Sequence, residues 1–176
     1  MAAARAGWTV RIAEADDAGA LVDLVHAYVV EANPRLIELT GRTIVAADEA
    51  EARRWVSASR AEGAITVLTL DSRSALGTGT LRQLEAGVAE FKRIYVRPQF
   101  RGSGMGATLL DELLGLARCR GARVVRLDSA PFQLCAHALY RSYGFVERGP
   151  YRGAEVPEDL VNVWHFFELT LDLADR

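Results

Sequence analysis

The sequence predicts an α/β fold: a single domain built on a mixed, mainly antiparallel sheet. Three observations carry that expectation. Strand-like runs at Ala64–Asp71, Leu76–Gln83 and Val88–Val96 follow one another across links as short as Glu85-Ala86-Gly87. Such links suit hairpins and so antiparallel neighbours. A later strand, Arg123 to Asp128, is reached only through an amphipathic helical run, a crossover that makes it parallel to the strand before. Finally, the 176 residues have ordinary hydrophobic (50%) and charged (25%) fractions and show no repeat or linker, which bounds the chain at about one domain.

The elements follow in order. Trp8 to Ile12 alternates and reads as a first strand. Asp16 or Asp17 caps a helix that places Leu21, Leu24, Val25, Tyr28 and Val29 on one face, and Asn33-Pro34 is expected to stop it. Arg35 to Ala46 carries no clear period. A second helix is expected over Asp48–Arg60, with Ala52 and Trp55 inward. After the three hairpin strands, Leu109, Leu110, Leu113, Leu114 and Ala117 line one helical face, and Gly121 lies just past its end. A helix from about Phe132 to Ser142 ends at Gly144. Strands at Phe145–Glu147 and Val161–Leu171 complete the chain around a polar loop, Gly149 to Asp159.

Composition excludes several classes. A net charge of −2 gives no reason to expect nucleic acid or an anionic membrane as partner. No apolar run approaches the roughly 20 residues of a membrane span. The opening MAAARAG lacks the apolar core of a signal peptide, so a cytoplasmic location is expected. Cys119 and Cys135 show no metal-ligand spacing and read as two reduced thiols; no metal is expected. His26, His137 and His165 are scattered and form no motif. Trp8, Trp55 and Trp164 read as core residues. Lys92 is the only lysine in the chain.

The most informative stretch is Arg101-Gly102-Ser103-Gly104-Met105-Gly106, between the strand Glu90–Val96 and the helix from Ala107. Its glycines permit tight turns and present N–H groups at a helix start, where about half a positive charge resides. Two readings compete. Gly102 to Ala107 satisfies the dinucleotide pattern G-x-G-x-x-G/A, and Asp128 stands where a ribose-binding acid would. Against an NAD(P)-binding module stand the mixed polarity of Glu90–Val96, the hairpin-linked strands upstream, and the short remainder after Asp128.

The other reading includes Arg101. Arg-x-x-Gly-x-Gly, preceded by Val96-Arg97-Pro98 and followed by Leu109-Leu110, Leu127-Asp128 and Ala136-His137-Ala138-Leu139-Tyr140-Arg141-Ser142-Tyr143-Gly144-Phe145, resembles the acyl-CoA signature of the GNAT superfamily of N-acyltransferases. The resemblance is close and ordered across Glu90–Phe145. It implies one N-acetyltransferase domain over residues 1–176, with an acyl-CoA-binding core at about 88–146, helices on both sheet faces and a splayed parallel strand pair.

Phe91 and Ile94 both look like core residues although three apart, which a bulge between them would reconcile. The family implies the same bulge, with the coenzyme's pantetheine arm pairing with backbone groups of Ile94, Tyr95 and Val96. The diphosphate would accept from the N–H groups of Arg101, Gly102, Ser103, Gly104, Met105 and Gly106. Gln133 stands where relatives carry an asparagine beside the arm. Tyr140 stands where many members place the acid that protonates the departing thiolate, and it also borders the coenzyme. Tyr143, three residues on, reads as packing.

Acyl transfer to an amine needs a base, because a free alkylamine is mostly protonated at neutral pH. Glu90 is the candidate, directly or through a water. The Val96 N–H is the expected oxyanion donor. Arg35, Glu38, Arg42, Tyr151 and Arg152 fall in segments that border the acceptor in this family. The expected activity is acetyl transfer from acetyl-CoA to a primary amine, small-molecule or peptide, in a ternary complex. A non-catalytic coenzyme A-binding regulator of the same fold is the alternative. Dimers are frequent in the resembling family, which leaves a homodimer open.

Overall fold

The computed structural model describes residues 7–43, 48–72 and 74–171. Residues 1–6 of the opening, Ile44 to Ala47 of the segment without clear period, and Arg73 of the first hairpin link lie outside them. The elements are β1 (Thr9–Ile12), α1 (Ala18–Thr40), α2 (Glu49–Ala61), β2 (Ile65–Leu70), β3 (Ala75–Glu85), β4 (Val88–Val96), α3 (Met105–Cys119), β5 (Val124–Ser129), α4 (Leu134–Ser142), β6 (Val146–Arg148) and β7 (His165–Thr170). The seven strands form one sheet in the order β1-β2-β3-β4-β5-β7-β6. β4 and β5 are parallel, as the helical crossover requires, and the β1–β2, β5–β7 and β6–β7 pairs are antiparallel. No helix among the described residues is long and apolar enough to cross a membrane.

The chain divides into two compact units, residues 1–80 with 93–113 and residues 81–92 with 114–176; β3 and β4 run from one into the other. In the first unit, Leu21 and Leu24 of α1 pack on Leu68 of β2, with Ala75 and Tyr95. Leu24 and Leu68 are fully buried, each burial contributing about 1.5–3 kcal/mol. Gly77 and Gly79 of β3 let neighbouring groups close in. A Cβ on Gly77 would stand 2.8 Å from the Tyr95 carbonyl oxygen, and one on Gly79 would stand 2.8 Å from Leu113 Cδ1.

α1 does not stop at Asn33-Pro34. It continues through Pro34 to Thr40 and ends at Gly41 (φ 70), whose N–H donates to the Ile37 carbonyl across 2.7 Å. Proline removes one helical donor, but the acceptor so released belongs to Val30 on the exposed face, while Asn33 and Leu36 are buried on the other. Packing of that face outweighs the local break. The last strand also differs. It begins at His165 rather than Val161, because Glu158–Leu160 forms a 3-10 turn with Leu160 buried, and the N–H groups of Val163 and Trp164 both reach the Leu160 carbonyl.

In the second unit the strands separate two kinds of chemistry. Leu127 pairs with Phe167 and Val125 with Leu169, and Val125, Leu127 and Phe167 are fully buried. The alternate positions carry charge: Glu90 opposite Arg126, Arg126 opposite Glu168, Asp128 opposite Phe166 and Phe166 opposite Arg148. The period of two thus puts Val125, Leu127 and Phe167 on one face and Glu90, Arg126, Asp128, Glu168 and Arg148 on the other, with buried Phe166 among these charges.

Candidate active site

The glycine-rich loop lies in the first unit. A 3-10 turn at Pro98–Phe100 follows β4, Gly102 (φ 77) and Gly104 (φ 86) take left-handed conformations, and α3 starts at Met105. The first helical bond runs from Thr108 N–H to the Gly104 carbonyl at 3.0 Å. The N–H groups of Met105 and Gly106 therefore have no acceptor within the helix. A Cβ on Gly102 or Gly104 would meet nothing within 4 Å, so glycine is required by φ, and the loop faces open space. The first turn of α3 carries no acidic residue. These features fit a diphosphate.

The Arg101 N–H donates to the Pro98 carbonyl at 3.2 Å. The Arg101 guanidinium grips Glu31 of α1 with both terminal nitrogens (2.7 and 2.8 Å), while its Nε reaches the Val96 carbonyl at 3.0 Å. The arginine of the motif ties loop, strand and helix together. Ser103 Oγ donates to the Phe100 carbonyl at 2.7 Å, and buried Met105 receives the Thr69 hydroxyl at its sulfur.

Within β4, Arg93 takes φ 52, an uncommon value for a side-chain-bearing residue, at the place where a bulge is expected. The parallel register with β5 runs from Val88↔Val124 to Glu90↔Arg126. Beyond Arg93, Ile94 and Val96 are half-buried and Tyr95 is buried, its hydroxyl 3.2 Å from Glu31. Burial, and then the Glu31 charge, raise the Tyr95 phenol above its ordinary value.

Tyr140 lies in the second unit, on α4, buried with its ring 5.7 Å from that of Phe167 and 5.9 Å from that of Phe145. Tyr143 is half-buried. Gln133 caps α4 through its carbonyl, which accepts the His137 N–H at 3.0 Å. Its side-chain oxygen accepts from the Ser129 hydroxyl (2.7 Å) and the Ala130 N–H (3.2 Å), which leaves the NH2 as the end it can offer a ligand.

Glu90 is completely buried and sits in an ionic network. It accepts from Arg82 Nε and, at 2.6 Å, from the Tyr151 hydroxyl. Lys92 stands 2.9 Å from Asp128, 3.5 Å from Glu155 and 3.9 Å from Glu90. Arg82 also holds Glu155 and the Gly153 carbonyl, both at 2.7 Å, which ties the 149–159 loop to the sheet. Burial alone pulls the Lys92 ammonium down, but Asp128, Glu90 and Glu155 together carry it above its ordinary value. Burial, then Glu90, pushes the Tyr151 phenol far up, so it stays protonated. Asp128 also accepts the Trp164 indole N–H at 3.0 Å and is thus part of this network.

Sequence reasoning placed Glu90 and Tyr151 near the site but missed Arg82, Lys92, Asp128 and Glu155 as their partners. The alternation of Glu90 and Lys92 on one strand was the available signal. It also missed a histidine pair. His137 and His165 lie with ring centres 4.5 Å apart. The Ser129 hydroxyl gives its one hydrogen to Gln133, so His137 Nε2, 3.0 Å away, acts as donor to it. His165 reaches Glu147 at 3.1 Å. Trp8 is buried, but Trp55 and Trp164 are half-buried and meet polar partners. Arg35, Glu38, Arg42 and Arg152 are exposed, whereas Tyr151 is buried. Cys119 and Cys135 are exposed and not disulfide-bonded.

A mixed sheet with a parallel pair, and a glycine-rich loop at the start of the helix between its members, define an α/β fold. The chain belongs to the acetyltransferase (GNAT) family, whose model matches residues 22–145. It is 36% identical over 81 residues to an IAA acetyltransferase of Azospirillum brasilense, covering 46% of this chain and 53% of that protein. It is 42% identical over 53 residues to an aminoglycoside N(6')-acetyltransferase type 1 of Stenotrophomonas maltophilia, covering 30% and 35%. The chain thus spans about half or less of the length of these relatives. The fold matches yncA of Salmonella typhimurium, solved with its cofactor acetyl-CoA, at a TM-score of 0.69 and 20% identity over 97% of this chain and 96% of that one.

Proposed function

We propose that this protein is an N-acetyltransferase that moves an acetyl group from acetyl-CoA to a primary amine by direct transfer within a ternary complex. The observation that carries the reading is the cradle of Gly102 and Gly104, with left-handed backbones opening on the start of α3. Family membership and the shared fold of a relative solved with acetyl-CoA support it.

In this reading the N–H groups from Gly102 to Gly106 hold the diphosphate, and backbone groups of Ile94, Tyr95 and Val96 pair with the pantetheine arm. The Gln133 NH2 adds a donor. Acetyl-CoA supplies the activated acyl group, and the chain's residues manage the protons. Glu90, whose oxygens are held by Arg82 and Tyr151, takes the acceptor's proton through the Tyr151 hydroxyl. As the C–N bond forms, the Val96 N–H stabilises the oxyanion, and Tyr140 protonates the sulfur as the C–S bond breaks. The network around Glu90 contains no thiol that would carry a covalent intermediate. The acceptor is a small-molecule or peptide amine, met in the cytoplasm.

Thermal denaturation with acetyl-CoA and with NADH tests the donor, and thiol release across an amine panel tests the reaction. Acetyl-CoA should raise the melting temperature and NADH should not. A shift with NADH alone overturns the reading. A shift with acetyl-CoA but no thiol release from any amine would leave a coenzyme A-binding regulator.

A further inference from the structure

Two buried polar residues of the second unit take no part in the steps above: Ser129, 2% exposed at the end of β5, and His137, 1% exposed on α4. Ser129 stands opposite His165 in the β5–β7 register, so the sheet fixes its place. Its hydroxyl oxygen lies 2.7 Å from Gln133 Oε1 and 3.0 Å from His137 Nε2. The chain of contacts ends on Gln133, which is half-buried and carries a long side chain with much freedom to lose.

The directions of these bonds follow from one obligate donor. The Ala130 N–H can only donate, and it reaches Gln133 Oε1 at 3.2 Å, so the end of the amide that faces Ser129 is its oxygen. That oxygen takes the single hydrogen of the Ser129 hydroxyl, and the Ser129 oxygen is left to accept from His137. The backbone closes the ring from the other side, where the Gln133 N–H donates to the Ala130 carbonyl at 3.0 Å. Turning the amide end for end would set its NH2 against two donors. The NH2 itself has no protein partner among the described residues.

We propose that Ser129 and His137 are positioning residues for the coenzyme: they aim the Gln133 NH2 at an amide carbonyl of the pantetheine arm. The proposal rests on the acetyltransferase reading, which supplies the arm. His137 directs the Ser129 hydroxyl, Ser129 holds the Gln133 oxygen, and the donor end of the amide is presented before any ligand arrives. A side chain that must be ordered at each binding event weakens affinity by about two- to tenfold relative to one already held.

Isothermal titration of acetyl-CoA tests it in a cycle of variants. Ser129→Ala should raise the Kd about two- to tenfold in the wild-type background and leave it unchanged in Gln133→Met, where no amide remains to aim. His137→Phe, which keeps a flat ring beside His165 and Phe167, should repeat that pattern. A residue that only supports the fold would weaken binding equally in both backgrounds. Gln133→Glu keeps an oxygen for Ser129 and Ala130 and so should fold as the wild type does. It replaces the donor with a charged acceptor, however, and should raise the Kd at least about tenfold. If Gln133→Glu binds acetyl-CoA as the wild type does, or if Ser129→Ala and His137→Phe act equally in both backgrounds or not at all, the positioning role fails and the acetyltransferase reading stands. If the wild type itself does not bind acetyl-CoA, that reading falls and this proposal with it.

Discussion

The Tyr151 hydroxyl donates to the Glu90 carboxylate across 2.6 Å, inside a network that also holds Arg82, Lys92 and Asp128. A fully buried carboxylate with both oxygens engaged cannot meet a substrate directly, and in the proposed reaction its route outward runs through the phenol. Tyr151→Phe and Glu90→Gln should therefore lower kcat by similar factors, ~10²–10⁴, with little change in the KM for acetyl-CoA. Tyr151→Phe should also cost about 1–3 kcal/mol in urea denaturation, because a buried acceptor loses its donor. Full turnover in Tyr151→Phe would remove the relay.

In the proposed mechanism Tyr140 is the acid that protonates the departing sulfur. Tyr140→Phe keeps the ring that packs on Phe145 and Phe167, so stability should change by under about 1 kcal/mol. Turnover should fall by ~10²-fold or more, while acetyl-CoA still raises the melting temperature as in the wild type. An unchanged pH–rate profile at full kcat assigns the acid elsewhere.

Gly104 and Gly121 have similar backbones, φ 86 and 74, and open space at the Cβ position, but only Gly104 lies in the loop proposed to hold the diphosphate. Alanine at either should cost about 1–2 kcal/mol of stability, the strain of a left-handed residue. Only Gly104→Ala should also weaken acetyl-CoA binding, as read by isothermal titration. Equal affinity in the two variants would mean that the loop does not touch the coenzyme.

His137 makes stability depend on pH. Burial, reinforced by His165 and Arg141, lowers its pKa from the ordinary 6.5, so the folded state holds a neutral ring. Above pH 6.5 both folded and unfolded forms are neutral and the full stability is present. As pH falls below 6.5 the unfolded chain takes up the proton first, and stability is lost down toward the folded pKa. The urea midpoint should drop between pH 7 and about pH 5, and His137→Gln should flatten that drop. A wild-type midpoint constant over this range contradicts the assignment.

Gly77 is a packing requirement rather than a turn. An alanine Cβ would stand 2.8 Å from the Tyr95 carbonyl oxygen and 2.9 Å from Thr69 Oγ1. The nearer of these is backbone and cannot swing aside. Gly77→Ala should destabilise the protein by about 1–3 kcal/mol in chemical denaturation, without changing the acetyl-CoA affinity per folded molecule.

Much of the fold was legible because it depends on local period. Alternation marked β1, strand-like runs across short links marked β2, β3 and β4, the crossover made β5 parallel, and Asp48 stands at the start of α2 as expected, where its carboxylate accepts the Glu51 N–H at 2.7 Å. The errors lie where packing overrode local preference. Pro34 has a helix-breaking propensity, but buried Asn33 and Leu36 carry α1 past it. Val161 suits a strand, but burial of Leu160 draws the chain into a turn.

The glycine loop was determined by sequence alone, since residues next to one another in the chain impose its conformation: Gly102 and Gly104 are the residues that adopt positive φ without strain. Only the tertiary structure showed that Arg101 grips Glu31, 70 positions away, that Glu90 meets Tyr151 61 positions on, and that Arg93 lies over Trp55. Backbone conformation follows from short-range sterics and can be read from neighbouring residues. Charge pairing and pocket lining depend on strand register and helix packing, which bring together groups that no spacing rule connects.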